Sequence, residues 1–292
     1  MNINAALLEP FLVQQLGTFT LVLARVGALM MTAPIFGPRS APFQARALLA
    51  FAMAIIITPL HASQAPVDMR NIMAFSHFVL NETLIGLLLG LGLMILLSGI
   101  QLTGQIISQL GGTALAEGYD VMSEESLPVY SQLFYFLTLT MFVLLGGHRL
   151  LIEATLDTYE WLPPGRAMIG ESYVSAMTTL MGQSFRLGVR AAAPAMAALL
   201  LATLILGLIG RTLPQINILV VGFSVNALLT AGAVLVSIGA IAWAFPQQAV
   251  ASVEMMVDAV HAAATGESEE KDPEPTSFQT PPPEPRTPNP QP

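Results

Sequence analysis

The sequence predicts an all-α integral membrane protein, with about six hydrophobic helices arranged as helical hairpins, amphipathic connecting helices and a disordered C-terminal tail. Three observations support this fold class. Of the 292 residues, 54% are hydrophobic and only 10% are charged, whereas soluble domains carry roughly 25% charged residues. The mean hydropathy is +0.66. Leu, Ile, Ala and Met are concentrated in long runs without the alternation typical of a membrane β-barrel.

Six apolar segments approach or exceed the roughly 20 residues that a helix needs to cross a bilayer. They are 11–36, 44–60, 78–100, 127–147, 189–209 and 216–245. The second is short, and the last is long enough that we expect it to be bent or tilted. Three further stretches, 101–110, 150–162 and 247–264, alternate polar and apolar residues at helical spacing, so we expect them to lie on the membrane surface or against partner subunits.

The composition changes sharply after Gly266. Residues 266–292 are mostly Pro, Glu, Ser and Thr, and they contain the only lysine of the chain, Lys271. Such a segment buries too little apolar surface to offset its chain entropy. We therefore expect a membrane domain over residues 1–265 and a disordered Pro/Glu-rich tail over residues 266–292.

Polar side chains interrupt three of the apolar segments. Arg25 lies in the first, Asn81 and Glu82 in the third and Asn226 in the last. Ionisable groups in lipid cost a few kcal/mol or more, so they normally face other helices or water. The sequence thus predicts that these residues are buried at helix contacts; a proton path through Glu82 is the alternative.

Small residues one helical turn apart predict close helix packing. The pairs are Gly86 and Gly90, Ala191 and Ala195, and Ala227 and Ala231.

The composition argues against several kinds of chemistry. Cysteine is absent, which excludes disulfides and thiolate sites, and the net charge of −8 argues against a nucleic-acid partner. The sequence has no H-E-x-x-H and no G-x-x-x-x-G-K motif, and its four histidines lie far apart. We therefore expect no enzyme activity, no cofactor and no metal site. A stand-alone secondary transporter stays open as an alternative, although no internal repeat is visible.

Three stretches together carry a resemblance. They are LARVGALMMTAPIFGPRSAPFQARALLAFAMAIIITP (23–59), LGGTALAEGYDVMSEESLPVYSQLFYFLTLTMFVLLGGHRLLI (110–152) and LGLIGRTLPQINILVVGFSVN (206–226). They resemble the FliR family of flagellar type III export proteins and its SctT-type virulence-secretion relatives. The likeness runs in consistent order from about residue 11 to residue 260. Val121 and Ser224 stand where the family usually has proline.

The third stretch matches a family signature that spans a turn between two helices. Its residues are Arg211, Pro214, Gln215, Asn217, Gly222 and Phe223. Pro214 is expected to break the preceding helix near Ile209, and Asn217 is a plausible N-cap for the next one. A well-capped structural turn explains these residues without a direct functional role.

The resemblance implies a subunit of the flagellar export gate in the bacterial inner membrane, at the flagellar basal body. It implies assembly with FliP-like and FliQ-like subunits beside FlhB-like and FlhA-like proteins, and passage of unfolded flagellar proteins through the resulting pore. A SctT-type subunit of a virulence secretion system is the alternative that the shared motifs leave open.

The acidic, glycine-rich stretch 110–126 is then interpreted as a plug of the export pore. The residues singled out are Gly111, Gly112, Leu115, Glu117, Asp120 and Met122. The glycines would supply backbone freedom, the apolar side chains would seal against neighbours, and the acids would keep the loop hydrated. The alternative is an ordinary solvated connection.

Overall fold

The computed structural model describes residues 3–36, 42–61, 71–112, 128–166, 170–213, 215 and 218–265. Within those ranges the chain forms seven α-helices and a short 3-10 helix, Pro34–Phe36. The α-helices are α1 (Ile3–Thr32), α2 (Phe43–His61), α3 (Ile72–Gly111), α4 (Val129–Leu144), α5 (Gly147–Trp161), α6 (Glu171–Thr212) and α7 (Ile218–Thr265). The predicted all-α class is confirmed.

Five of these helices are long and apolar enough to cross a membrane. The number becomes six if α4 and α5, which meet at an angle of 65°, are counted as one broken span. Gly146 makes this bend with a φ of 76°, a left-handed conformation that favours glycine. The predicted amphipathic segment 150–162 corresponds to α5.

The stretches 101–110 and 247–264 are not separate helices, contrary to the prediction. The first continues α3 and the second continues α7 without a break. A change from an apolar to an amphipathic pattern does not by itself end a helix, because the backbone hydrogen bonds continue through it. Pro246 lies inside α7, where it removes a backbone donor without ending the helix. The tail, residues 266–292, lies outside the described residues.

Helix α3 is the centre of the bundle and contacts α1, α4, α6 and α7. Glycines stand where these neighbours approach closely. A methyl group in place of the glycine hydrogen would overlap Arg25 and Ala28 at Gly86, Thr32 at Gly90, Met256 at Gly92, Ser184 at Gly99 and Ser131 at Gly104. The close packing predicted for Gly86 and Gly90 is therefore confirmed, and the same device recurs along the helix.

Hydroxyl groups reinforce the contact between α3 and α6. Thr103 donates a hydrogen bond to the carbonyl oxygen of Gly188 at 2.9 Å, and Ser184 donates to the carbonyl oxygen of Ile95. Helix α7 contacts α6 in the same way, since Ser237 of α7 donates to the carbonyl oxygen of Ala191 at 3.0 Å. Each hydroxyl reaches a neighbouring backbone only because small residues let the helices come close.

The other alanine pairs differ in their surroundings. Ala191 and Ala195 are buried in the core, as the predicted packing requires. Ala227 and Ala231 are exposed on α7, so they form no buried helix contact within the described residues.

Helices α6 and α7 form a long antiparallel hairpin that extends beyond the bundle. Gly111, the last residue of α3, lies against Thr230 of α7. Past this point no described side chain between Thr203 and Leu229 is buried. We call residues 203–229 the hairpin end.

A matched pair of glycines on α6 tests the close approach. Gly188→Ala places a methyl group against the carbonyl of Gly99, whereas the corresponding position at Gly182 has no atom within 4 Å. We expect Gly188→Ala to destabilise the protein by about 1–3 kcal/mol through overpacking. Gly182→Ala is expected to be neutral or stabilising by up to about 1 kcal/mol, because alanine is the better helix former. Thermal unfolding of both variants, each co-purified with its partner subunits in mild detergent, measures this difference, and equal midpoints would contradict it.

Candidate functional site

A buried ion pair joins two of the polar residues predicted at helix contacts. Arg25 of α1 and Glu82 of α3 are both fully buried, and the Nε of Arg25 donates to the Oε2 of Glu82 at 2.7 Å. The residues face each other because Gly86, one turn beyond Glu82, allows α3 to approach the backbone of Arg25. The prediction that both are buried at helix contacts is confirmed.

The guanidinium of Arg25 holds a third element in place. Its Nη1 donates to the hydroxyl of Thr158 and its Nη2 to the carbonyl oxygen of Leu162, each at 3.0 Å. The guanidinium carbon lies 4.1 Å from the ring centroid of Tyr159, within the range of a cation–π interaction. Arg25 therefore fixes the C-terminal end of α5 against α1.

Both carboxylate oxygens of Glu82 accept hydrogen bonds. While Oε2 accepts from Arg25, Oε1 accepts from the backbone N–H of Gly165 at 2.9 Å. A buried charge is tolerated when it is paired and its remaining bonding sites are occupied. This geometry favours a structural role for Glu82 over the alternative of a proton path.

The pairing itself was missed by sequence reasoning. Arg25 and Glu82 are 57 residues apart, and the apolar segments that contain them gave no indication that α1 and α3 are neighbours. The available clue was their opposite charge, because lone ions in lipid normally find each other. Asn226, also predicted to be buried at a helix contact, is not part of this cluster. It is half-buried at the hairpin end, and its Oδ1 has no hydrogen-bond partner within the part of the chain that the structure describes.

The two glycines of the proposed plug have distinct local roles. Gly111 ends α3, and a methyl group there would approach the Thr230 hydroxyl to 2.5 Å. Gly112 caps α3 with a φ of 79°, which terminates the helix in the left-handed conformation typical of glycine caps. Both glycines are thus explained by helix packing and capping. The other members, Leu115, Glu117, Asp120 and Met122, lie outside the described residues.

The family signature lies at the tip of the hairpin end. Helix α6 runs to Thr212 rather than ending near Ile209, and the backbone N–H of Leu213 still donates to the carbonyl oxygen of Ile209 at 2.8 Å. Two signature residues, Pro214 and Asn217, lie outside the described residues. The others are exposed or half-buried: Arg211, Gln215, Gly222 and Phe223.

Phe223 is 72% exposed at the hairpin end. Val220, Val221 and Leu228, within two turns of it on α7, are exposed as well. Exposed apolar side chains grouped in this way indicate contact with lipid or another chain. Among the described residues, no group of His, Asp and Glu is arranged to hold a metal ion.

These features define a class of protein: a multi-pass helical membrane protein, packed through glycines and stabilised by an internal ion pair. The particular family follows from comparison with known proteins. Residues 16–251 match the family described as "Bacterial export proteins, family 1". The chain belongs to this family, whose flagellar members are the FliR proteins, so the resemblance noted in the sequence is confirmed.

Three relatives are each named "Flagellar biosynthetic protein FliR". The Escherichia coli K12 protein is 34% identical over 215 residues, which cover 72% of this chain and 79% of the relative. The Caulobacter vibrioides protein is 30% identical over 222 residues, covering 76% and 88%. The Bacillus subtilis protein is 27% identical over 207 residues, covering 70% and 79%. The similarity therefore extends over most of each protein.

Removing one partner of the ion pair tests its structural role. Glu82→Gln leaves the Arg25 guanidinium buried without a counter-charge, so we expect a loss of about 3–5 kcal/mol of stability. The double variant Arg25→Met with Glu82→Leu removes both charges and is expected to recover most of that loss. Thermal unfolding of each variant, co-purified with its partner subunits in mild detergent, is the measurement.

The control for this experiment is Arg149→Gln. It breaks the exposed pair with Glu153 and is expected to leave the unfolding midpoint unchanged, because exposed pairs contribute little. A Glu82→Gln protein that is as stable as wild type but defective in export would contradict the structural role and favour the proton path.

Proposed function

We infer that this protein is a subunit of the flagellar type III protein export gate and that it forms part of the pore for unfolded flagellar proteins. The observation that carries this conclusion is membership of the bacterial export family together with the similarity to three FliR proteins over most of the chain. Each of those relatives is named a flagellar biosynthetic protein, which favours the flagellar system over a virulence system.

The lengths of the helices support a role inside a larger assembly. Helices α3, α6 and α7 have 40, 42 and 48 residues. At 1.5 Å per residue they are about 60, 63 and 72 Å long, which is about twice the 30 Å hydrocarbon core of a bilayer. A single bilayer therefore leaves about half of each helix outside the lipid.

The exposed faces of these helices are apolar along most of their length. On α6, exposed apolar side chains run from Val174 to Leu208, a rise of about 51 Å. The faces that lipid does not cover must be covered by protein, because apolar patches of this extent are not stable in water. We propose that FliP-like and FliQ-like subunits cover them, with FlhB-like and FlhA-like proteins alongside.

The remaining parts of the proposal follow from this assembly. The protein resides in the bacterial inner membrane at the flagellar basal body, and it acts as a structural component of the pore rather than as an enzyme. Residues 1–265 form the gate domain, and residues 266–292 form a tail that assembly does not need.

Complementation of a strain that lacks this gene tests the function. The full chain is expected to restore motility in soft agar and export of hook and filament proteins. Truncation after Thr265 is expected to restore both as well, because the removed tail lacks a continuous apolar face. Restored filament growth by the full chain with failure of the truncated chain at equal protein level would assign the tail a docking role. Restoration of virulence-factor secretion but not of motility would favour the SctT-type alternative.

The requirement for partners is tested by purification. Expressed alone, the chain is expected to elute from size-exclusion chromatography in mild detergent as aggregates, because its uncovered apolar faces associate. Expressed with FliP-like and FliQ-like proteins, it is expected to elute with them as one complex. A monodisperse, folded monomer would count against the gate and for the stand-alone transporter.

We further propose that the stretch 110–126 closes the idle pore. The support is its position in the sequence directly after α3, which is the helix that most others contact. Its composition adds support, with apolar side chains for sealing and four acids that disfavour contact with lipid. A loop moves at a lower free-energy cost than a packed bundle, whose contacts would all have to break.

Deletion of residues 112–121 tests the plug. Cells with an assembled gate are expected to become leaky to ions and small solutes and to grow poorly in high salt. Potassium efflux and growth on salt are the measurements, and a strain without the FliP-like partner is the control, because no gate assembles there. Normal permeability with a normally assembled gate would leave the stretch as a simple connection.

A further inference from the structure

Two exposed arginines stand one turn apart on α6. Arg186 and Arg190 both face outward, and the Nε of Arg186 reaches only the carbonyl of Gly182, at 3.3 Å. Among the residues that the structure describes, the ion pairs are those of Arg25 with Glu82 and Arg149 with Glu153. Like charges at this spacing repel each other, so an external anion between or beside them would stabilise the helix.

Between Arg190 and Arg211 of α6, and along most of α7, the hairpin carries no charged residue. Residues 191–210 of α6 contain no Asp, Glu, Lys or Arg, and neither do residues 218–253 of α7. The next charge along α6 is Arg211, and the rise from Arg190 to Arg211 is about 31 Å. This rise matches the roughly 30 Å hydrocarbon core of a bilayer. Arg190 and Arg211 therefore stand at the two ends of a stretch whose length and polarity suit lipid.

Trp243 of α7 is exposed and lies level with Arg186 and Arg190 along the axis of the hairpin. The register of the hairpin is fixed by hydrogen bonds of Ser237 with Ala191, at 3.0 Å, and of Gln248 with Gln183, at 2.7 Å. Trp243 falls between these two levels and is 75% exposed. Tryptophan and arginine are both enriched at the headgroup level of membranes.

On the other side of this level, away from the hairpin end, carboxylates are exposed on the hairpin. Glu171 of α6 and Glu254 and Asp258 of α7 are exposed there, and carboxylates are costly in the hydrocarbon region. This charge pattern favours a bilayer boundary at the turn of α6 that carries Arg186 and Arg190.

We propose that Arg186 and Arg190 bind the headgroup phosphates of anionic phospholipids, with Trp243 in the same headgroup layer. This site sets the height of the hairpin in the bilayer. The inference stands on the charge pattern and the geometry of the hairpin, independently of what passes through the gate.

Lipid binding to the full chain, purified together with its gate partners, tests the proposal. The complex is stripped of lipid and titrated with phosphatidylglycerol or phosphatidylcholine of the same acyl chains, and bound lipid is counted by native mass spectrometry. The wild type is expected to prefer phosphatidylglycerol. The variant Arg186→Gln with Arg190→Gln is expected to bind it about 30-fold more weakly, since each basic residue near an anionic surface contributes about fivefold.

Two further variants separate lipid binding from other causes. Arg186→Lys with Arg190→Lys keeps the charge and is expected to keep most of the preference. Arg149→Gln with Arg166→Gln removes two exposed charges outside the hairpin and is expected to bind as the wild type does. Equal loss in this control, or unchanged binding in the glutamine variant at positions 186 and 190, would overturn the proposal.

The wild-type complex provides a second measurement, which does not depend on whether the glutamine variant assembles. Phosphatidylglycerol is expected to raise the thermal unfolding midpoint of the complex above that in phosphatidylcholine. Inorganic phosphate at the same concentration is expected to give no increase and to displace no bound phosphatidylglycerol. An equal midpoint in both lipids, or displacement by inorganic phosphate, would refute a lipid headgroup site.

Discussion

The close approach of four helices to the glycines of α3 is the constraint on which the rest of the structure depends. In a chain with so few charges, the hydrophobic effect gives little preference among apolar neighbours once they are in lipid, so shape and hydrogen bonds decide the packing. Glycines at positions 86, 92, 99 and 104 set where α1, α7, α6 and α4 meet α3. The hydroxyl contacts across α3, α6 and α7 are possible only at the resulting distances.

The ion pair is a consequence of that approach. With Gly86 against the backbone of Arg25, the side chain of Glu82 one turn away is within reach of the guanidinium. The pair then recruits the end of α5 through Thr158 and Leu162. In this way a packing device between two helices becomes a polar junction of three, and the bend at Gly146 is what carries α5 back to that junction.

The sequence was sufficient to predict the elements but not their neighbours. Apolar runs located the helices, and the spacing of Gly86 and Gly90 located a close contact. The partner of Arg25 was not predictable, because the order of segments along the chain does not say which of them touch. Part of the arginine's environment, the carbonyl of Leu162, belongs to the backbone and is invisible in composition. The sequence did not predict that α3 and α7 continue through 101–110 and 247–264, because the change to an amphipathic pattern was interpreted as the end of a helix. The assignments at Leu115, Glu117, Asp120 and Met122 remain predictions.

The Arg25 junction also constrains how the protein is made. Its partners lie far along the chain: Glu82 is 57 residues away, and Leu162 is 137 residues away. At a synthesis rate of about 5–20 residues per second, roughly 7–27 seconds separate the emergence of Arg25 from that of Leu162. Until Glu82 emerges, roughly 3–11 seconds after Arg25, the first helix carries an unneutralised charge that opposes its entry into lipid. Stable insertion of the N-terminal segment is therefore tied to the appearance of α3, and its final position to the appearance of α5.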